Sequence, residues 1–311
     1  MGRTSAARQE TERLLLGGAW HPLTKSLTFF AADVEECVAS FLDWRGRGVI
    51  ERTGHPLRRR DLTGDLETLL AELTPMEVAM GRRNLFVPVA TDGPYRTMML
   101  RSSWLGTDPG SERAAFATRG VGSVQVTSSP NDPRGLIWPR GFHGIHHLGV
   151  MRPVPVEQDD RGYTGRSVGV RISDRGGWIF VDLGDRLPFE DASAYTAPRV
   201  KNRFTQQTLI DYAAELGLRP FDADFYASDR TAVLVEHTGP AIWRERLASI
   251  ADAQSNGNPD RIGIPHPDAT TIEPESRTIT VIDGIAYHRG EAIWDPSILG
   301  TRPPPGWTPK I

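Results

Sequence analysis

The amino-acid sequence predicts an α+β fold with a mixed, mainly antiparallel sheet and flanking helices. Three observations lead there. Two segments carry apolar residues at the 3.6-residue period of an amphipathic helix. A pair of segments around residues 167–183 alternates apolar and polar positions on either side of a turn, the pattern of a half-buried hairpin. Helices and strands follow one another without the regular βα alternation of a parallel, doubly wound sheet.

From the N-terminal side, 5–16 reads as a short charged helix stopped by Gly17-Gly18. The next helix is better marked. Val34, Cys37, Val38, Phe41 and Leu42 form one apolar stripe, with Glu35, Glu36 and Asp43 off it. Cys37 therefore belongs in a core, as an inert small hydrophobe. A further helix is predicted over 65–73, ending before Pro75. The period then changes. Residues 85–89 and 95–104 read as strands around the turn Asp92-Gly93-Pro94, 111–119 as a short helix, and 122–127 as a strand. A Pro/Gly-rich connection covers 128–144, and 146–156 reads as extended. In the clearest hairpin, Val168, Val170 and Ile172 face inward on one strand and Ile179, Val181 and Leu183 do so on the other. Thr205 is placed to cap the next helix, with Phe204 before it as a hydrophobic staple on Leu209. Leu209, Tyr212, Ala213 and Leu216 make its buried stripe, and Gly217 ends it. A strand at 231–236, a helix from about 240 to 252 and a hairpin-like unit at 278–288 follow. Residues 303–311, with Pro303, Pro304 and Pro305, read as an extended tail. The expected organisation is an N-terminal helical region over 1–80, a central α+β domain over 84–228, and a C-terminal α+β extension with a proline-rich tail over 229–311.

Composition narrows the function classes. At 311 residues and 39% hydrophobic, with eight tryptophans, the chain has the material for a sizeable core. A net charge of −3 offers no global positive field, so nucleic acid is not an expected partner. The six arginines Arg45, Arg47, Arg52, Arg58, Arg59 and Arg60 are diluted by Glu51 and Asp61 and read as a solvated or salt-bridged surface rather than a nucleic-acid patch. Cys37 is the lone cysteine, which leaves no intramolecular disulfide and no thiolate zinc site. No secretory signal and no membrane-spanning run is visible, so a soluble cytoplasmic protein is expected.

Cofactor motifs fail on their spacing. None of the three lysines (Lys25, Lys201, Lys310) sits in a Gly-Lys-Ser/Thr phosphate loop. Gly46-Arg47-Gly48 lacks the third glycine of a dinucleotide turn, and no Gly-x-Ser-x-Gly elbow occurs. No cofactor is expected. The binding candidates are Trp138 and Arg140, in a Pro-flanked loop, with His143, His146 and His147 in Gly-Phe-His-Gly-Ile-His-His. On a helix, His143, His146 and His147 would share one face and suit zinc. The surrounding glycines and Pro139 argue for extended chain instead. There His146 and His147 point to opposite faces, and His143 lies roughly 13 Å from His147, so no metal site is expected unless a loop folds the three together. Asp182, Asp185, Glu190 and Asp191, like Asp222, Asp224 and Asp229, read as solvated loop carboxylates.

Several segments carry a resemblance: Leu85-Phe86-Val87-Pro88-Val89, Gly106-Thr107-Asp108, Gly177-Trp178-Ile179-Phe180, Leu187-Pro188-Phe189-Glu190, and Arg203-Phe204-Thr205 leading to Phe225-Tyr226. Over about residues 85–226 the chain resembles a family of uncharacterised bacterial proteins of actinobacterial type. That family has no known activity and implies no catalytic residue. The leading expectation is a non-enzymatic protein-binding module, of the immunity type that neutralises a toxin. The rival is a metal-dependent or acid/base hydrolase or transferase built on the His143–His147 loop with Asp182 or Glu190.

Overall fold

The computed structural model describes residues 12–46, 50, 54–78, 82–104, 106–107, 109–132, 135, 143–153, 165–173, 176–226, 229–239, 246–255, 263–265, 267, 279–282, 285–288 and 291–294. The main feature is a nine-stranded sheet in the order β2-β10-β4-β5-β1-β6-β7-β8-β9, every neighbouring pair antiparallel. Its strands are β1 (Ser26–Phe30), β2 (Leu57–Leu62), β4 (Arg83–Pro88), β5 (Thr97–Arg101), β6 (Ser123–Ser129), β7 (Ile145–Met151), β8 (Gly165–Ile172), β9 (Trp178–Leu183) and β10 (Ala232–His237). It draws on all three stretches of chain set out above. β1 and β2 come from 1–80, β4 to β9 from 84–228, and β10 from 229–311. A small sheet joins β3 (Met76–Glu77), β11 (Arg246–Ala248) and β12 (Ile264–Pro265), and β13 (Ile279–Ile282), β14 (Ile285–His288) and β15 (Glu291–Trp294) form a meander.

Period-2 alternation splits the apolar side chains between two faces. On the first face Leu27, Phe29, Leu85, Val87, Met98, Leu100 and Leu234 join one buried cluster. On the second, their chain neighbours Phe30, Phe86, Met99, Val233 and Val235 join another. The first face is covered by α2 (Leu66–Ala71), through Leu66, Leu69 and Leu70, and by α4 (Gln206–Glu215), through Leu209, Tyr212 and Ala213. The second is covered by α1 (Val34–Phe41), through Val34, Cys37, Val38 and Phe41, and by α3 (Gly110–Ala117), through Ala115 and Phe116. A fifth helix, α5 (Ile250–Ser255), follows β11. The helix starts are local chemistry. Asp33, Asp65 and Thr205 each accept a hydrogen bond from the third helical amide of α1, α2 and α4, satisfying a donor that has no intrahelical partner. Among the described residues, no helix is long and apolar enough to cross a membrane.

Several expectations need correction. Residues 12–14 are not helical, and Leu15–Gly18 is a tight turn with Leu16 at φ 52°. Arg246–Ala248, read as helix, is strand β11. The arginines of Leu57–Leu62 are ion-paired, in line with a salt-bridged surface (Arg59 with Glu35 at 2.6 Å, Arg60 with Glu72 at 2.5 Å, Arg58 with Glu236 at 3.4 Å), but they lie on an edge strand that the sequence does not suggest. Glu190 is not a solvated carboxylate, since its side chain is fully buried against Arg166.

Candidate functional site

Strands β6 to β9 run as a meander, and their second face differs in kind from the rest of that face. Antiparallel register sets Gln125, Gly149, Ser167 and Leu183 in one row across them, and Thr127, His147, Gly169 and Val181 in the next. Glycine and short polar side chains replace the Phe and Met that α1 and α3 cover elsewhere. A concavity of about 430 Å³ opens here, lined by Arg113, His147, Gly149, Ser167, Leu183 and their neighbours. Arg113 reaches it from α3 and is held flat on the sheet. Its Nε donates to Ser123 Oγ at 3.0 Å, Nη1 to Gln125 Oε1 at 2.8 Å, and Nη2 to the Gly149 carbonyl at 2.9 Å. Gly149 makes room for this, because a Cβ there would stand 3.3 Å from Arg113 Nη1 and 3.2 Å from His147 Cε1.

His147 Nε2 lies 2.8 Å from Ser167 Oγ. Burial, followed by the positive charges of Arg113 and Arg171, lowers its pKa from 6.5 to about 4. The imidazole is thus neutral near pH 7. A Ser–His pair of this kind has the nucleophile–base contact of acyl-transfer enzymes. The field around it opposes that chemistry: forming imidazolium between two arginines is disfavoured, and among the described residues no carboxylate orients the ring. The arrangement suits hydrogen bonding to a ligand better than proton abstraction.

The expected site residues are only partly brought together. His146 and His147 lie on β7 and point to opposite faces, and His143 sits exposed before the strand. His146 is buried on the first face, with Nδ1 at 3.2 Å from Ser128 Oγ and Nε2 at 3.6 Å from Glu12. No three His, Cys, Asp or Glu side chains converge among the described residues in a way that could hold a metal ion. The suggested partnership of these histidines with Asp182 or Glu190 does not form around His147. Those carboxylates lie on the first face, where Arg166 grips Glu190 through two 2.7 Å hydrogen bonds and Asp182 through a 2.7 Å ion pair. Burial pushes the Glu190 carboxyl up, and hydrogen bonds from Arg166, the Leu187 amide and Tyr195 more than offset this, holding it below its ordinary value. A carboxylate so tied is a structural anchor. Trp138 and Arg140 lie outside the described residues. Cys37 is buried in the second-face cluster, its thiol pushed up to about 12 by burial, and is inert as expected.

Two residues that carry the concavity, Arg113 and Ser167, were not among the sequence candidates. The sequence puts Ser167 in the hairpin, but its meeting with His147 depends on the β7–β8 register, which the intervening residues do not signal.

The second notable feature is the outer edge of β9. The Ile172 amide donates to the Gly144 carbonyl, on the β7 side. Backbone groups alternate along a strand, so Ser167, Gly169 and Arg171 bond toward β9. The backbone groups of their partners Leu183, Val181 and Ile179 point toward β8, and those of Trp178, Phe180 and Asp182 point outward. The side chains reverse the expected faces: Trp178 and Phe180 pack on the first-face core in register with Ile172 and Val170, and Leu183 is exposed on the second face. No strand pairs with that edge among the described residues. The turn Val200–Asn202 packs against both β8 and β9. The two edges of the sheet contrast. β2 carries four charged residues in six, the usual protection against strand addition, whereas β9 carries only Asp182, and Leu183 is 64% exposed. Comparison with protein-family models, with curated proteins and with solved structures finds no match to this chain.

Proposed function

We propose that the chain is a non-enzymatic protein-binding module that takes an extended segment of a partner protein onto the outer edge of β9. The observation that carries this reading is the asymmetry of the two edges. One is closed by paired arginines; the other presents outward amides between apolar side chains. Main-chain hydrogen bonds would supply affinity, and contacts with Ile179, Val181 and Leu183 on one face would favour a strand with apolar residues at alternate positions. An immunity-type role, with a toxin as partner, is one form of the proposal; the mild net charge of −3 favours a basic partner. The hydrolase reading loses support because His147 is separated from Asp182 and Glu190 by the sheet and sits between arginines.

The test uses two edge variants. Phe180→Pro removes one outward amide without touching the β8 ladder, and Val181→Lys places a charge on the edge. Affinity capture from the source cells, read by mass spectrometry, should yield a stoichiometric partner with the wild-type chain and lose it with both variants. No stoichiometric partner, or one indifferent to both changes, would refute the proposal.

A further inference from the structure

The concavity over β6 to β8 lies on a face of the sheet, apart from the β9 backbone edge, and its chemistry is that of a small-ligand site. We infer that it binds an organic anion, its carboxylate or phosphate head against Arg113, His147 and Ser167 and its apolar body against Met151 and Leu183. Four observations combine. The volume, about 430 Å³, falls in the range of small-molecule sites. Arg113 is 8% exposed, and three hydrogen bonds fix its guanidinium in place, so a positive charge is held at the wall with little freedom left to lose on binding. In the tautomer that carries its proton on Nε2, His147 donates to Ser167 Oγ and leaves the hydroxyl proton to donate to a ligand oxygen. Gly149 and Gly165 keep the floor bare, and Leu183, in the same row as Ser167, supplies an exposed apolar wall.

Charge favours an anion. Arg113, Arg152, Arg166, His147 and Asp185 line the space, so arginines outnumber the one acid there, and Arg171 stands close enough to act on His147. A bound anion offsets the arginines that oppose imidazolium formation, so binding is coupled to proton uptake by His147 and tightens as the pH falls.

Titrations of the whole chain with benzoate and with phenylphosphate, followed by ¹H–¹⁵N NMR at the Arg113 Nε–H and the His147 ring, test this. Benzyl alcohol is the neutral control. One or both anions should shift these resonances saturably, the stronger binder naming the head group, while benzyl alcohol does not. Ser167→Ala deletes only a hydroxyl and should weaken anion binding about tenfold, the value of a hydrogen bond to a charged group. Benzoate affinity should rise as the pH falls from about 6.5 toward 5 in the wild type and not in His147→Gln, as linkage requires. Equal shifts with benzyl alcohol, no shift with either anion, or Ser167→Ala binding as tightly as wild type would each overturn the inference.

Discussion

The Arg166–Glu190 pair shows how one residue joins sheet to covering loop. Arg166 is 1% exposed at its side chain and Glu190 fully buried, and all of the Glu190 carboxylate's bonds are spoken for: Arg166 Nε and Nη2, the Leu187 amide and the Tyr195 hydroxyl. Desolvating two charges cancels much of their attraction, so the pair itself contributes little net stability. Removing Glu190 is a different matter, because the buried guanidinium loses two charge-assisted hydrogen bonds and keeps only Asp182 as an ionic partner among the described residues. Glu190→Ala should therefore cost about 3–5 kcal/mol by urea denaturation. The double change Arg166→Met with Glu190→Leu should recover most of that loss, since no charge is then left buried. A double variant as unstable as Glu190→Ala would show that the loop is held by something else. None of this was legible in the sequence, where Glu190 stands among Asp182, Asp185 and Asp191 and nothing marks it as the buried one.

Elements whose signals are local were legible, and those defined by distant pairing were not. α1 and α4 show their stripe and cap within a dozen residues, and both form where expected. In α4, Thr205 Oγ1 accepts from the Thr208 amide at 3.1 Å, and Phe204 is buried in the same cluster as Leu209 and Tyr212. Thr205→Ala should cost about 1 kcal/mol, the usual value of an N-cap, read as a lower urea midpoint at unchanged slope. A neutral result would mean that packing alone sets the helix start. β1 escaped notice because all five of its residues are buried and the alternation that betrays a half-buried strand is missing. β2 was hidden by its arginines. That β10 inserts between β2 and β4 is a fact of long-range register that no local pattern encodes. The candidate site shares this limit. Alternation correctly put His146 and His147 on opposite faces, but the hydroxyl that meets His147 comes from another strand, 20 residues on.

Taken as one object, the sheet is double-sided over β10, β4, β5 and β1, where buried clusters lie on both faces, and its second face turns polar over β6 to β8. That change places a desolvated imidazole inside a cooperative fold and makes global stability depend on pH. Burial and the nearby arginines hold the folded pKa of His147 at about 4, against an ordinary 6.5. Above 6.5 the ring is neutral in both states and contributes no pH dependence. Below it, the unfolded chain takes up a proton that the folded chain refuses, so stability falls as the pH drops from 6.5 toward 4. Because the ring is partly accessible, a loss on the order of 2 kcal/mol is reasonable across that window. Glu190 and Asp182, held below their ordinary 4.5 and 3.8, stabilise above those values and lose their contribution only as the pH falls below them. The two effects overlap only near pH 4 to 4.5, and above about pH 5 the loss is that of His147. Urea midpoints taken between about pH 7.5 and 5 should fall steeply for the wild type and less so for His147→Gln, which keeps a hydrogen-bonding group near Ser167 without the proton uptake. Parallel curves for the two proteins would mean that His147 titrates alike in the folded and unfolded chain, and that burial and the nearby arginines do not shift it.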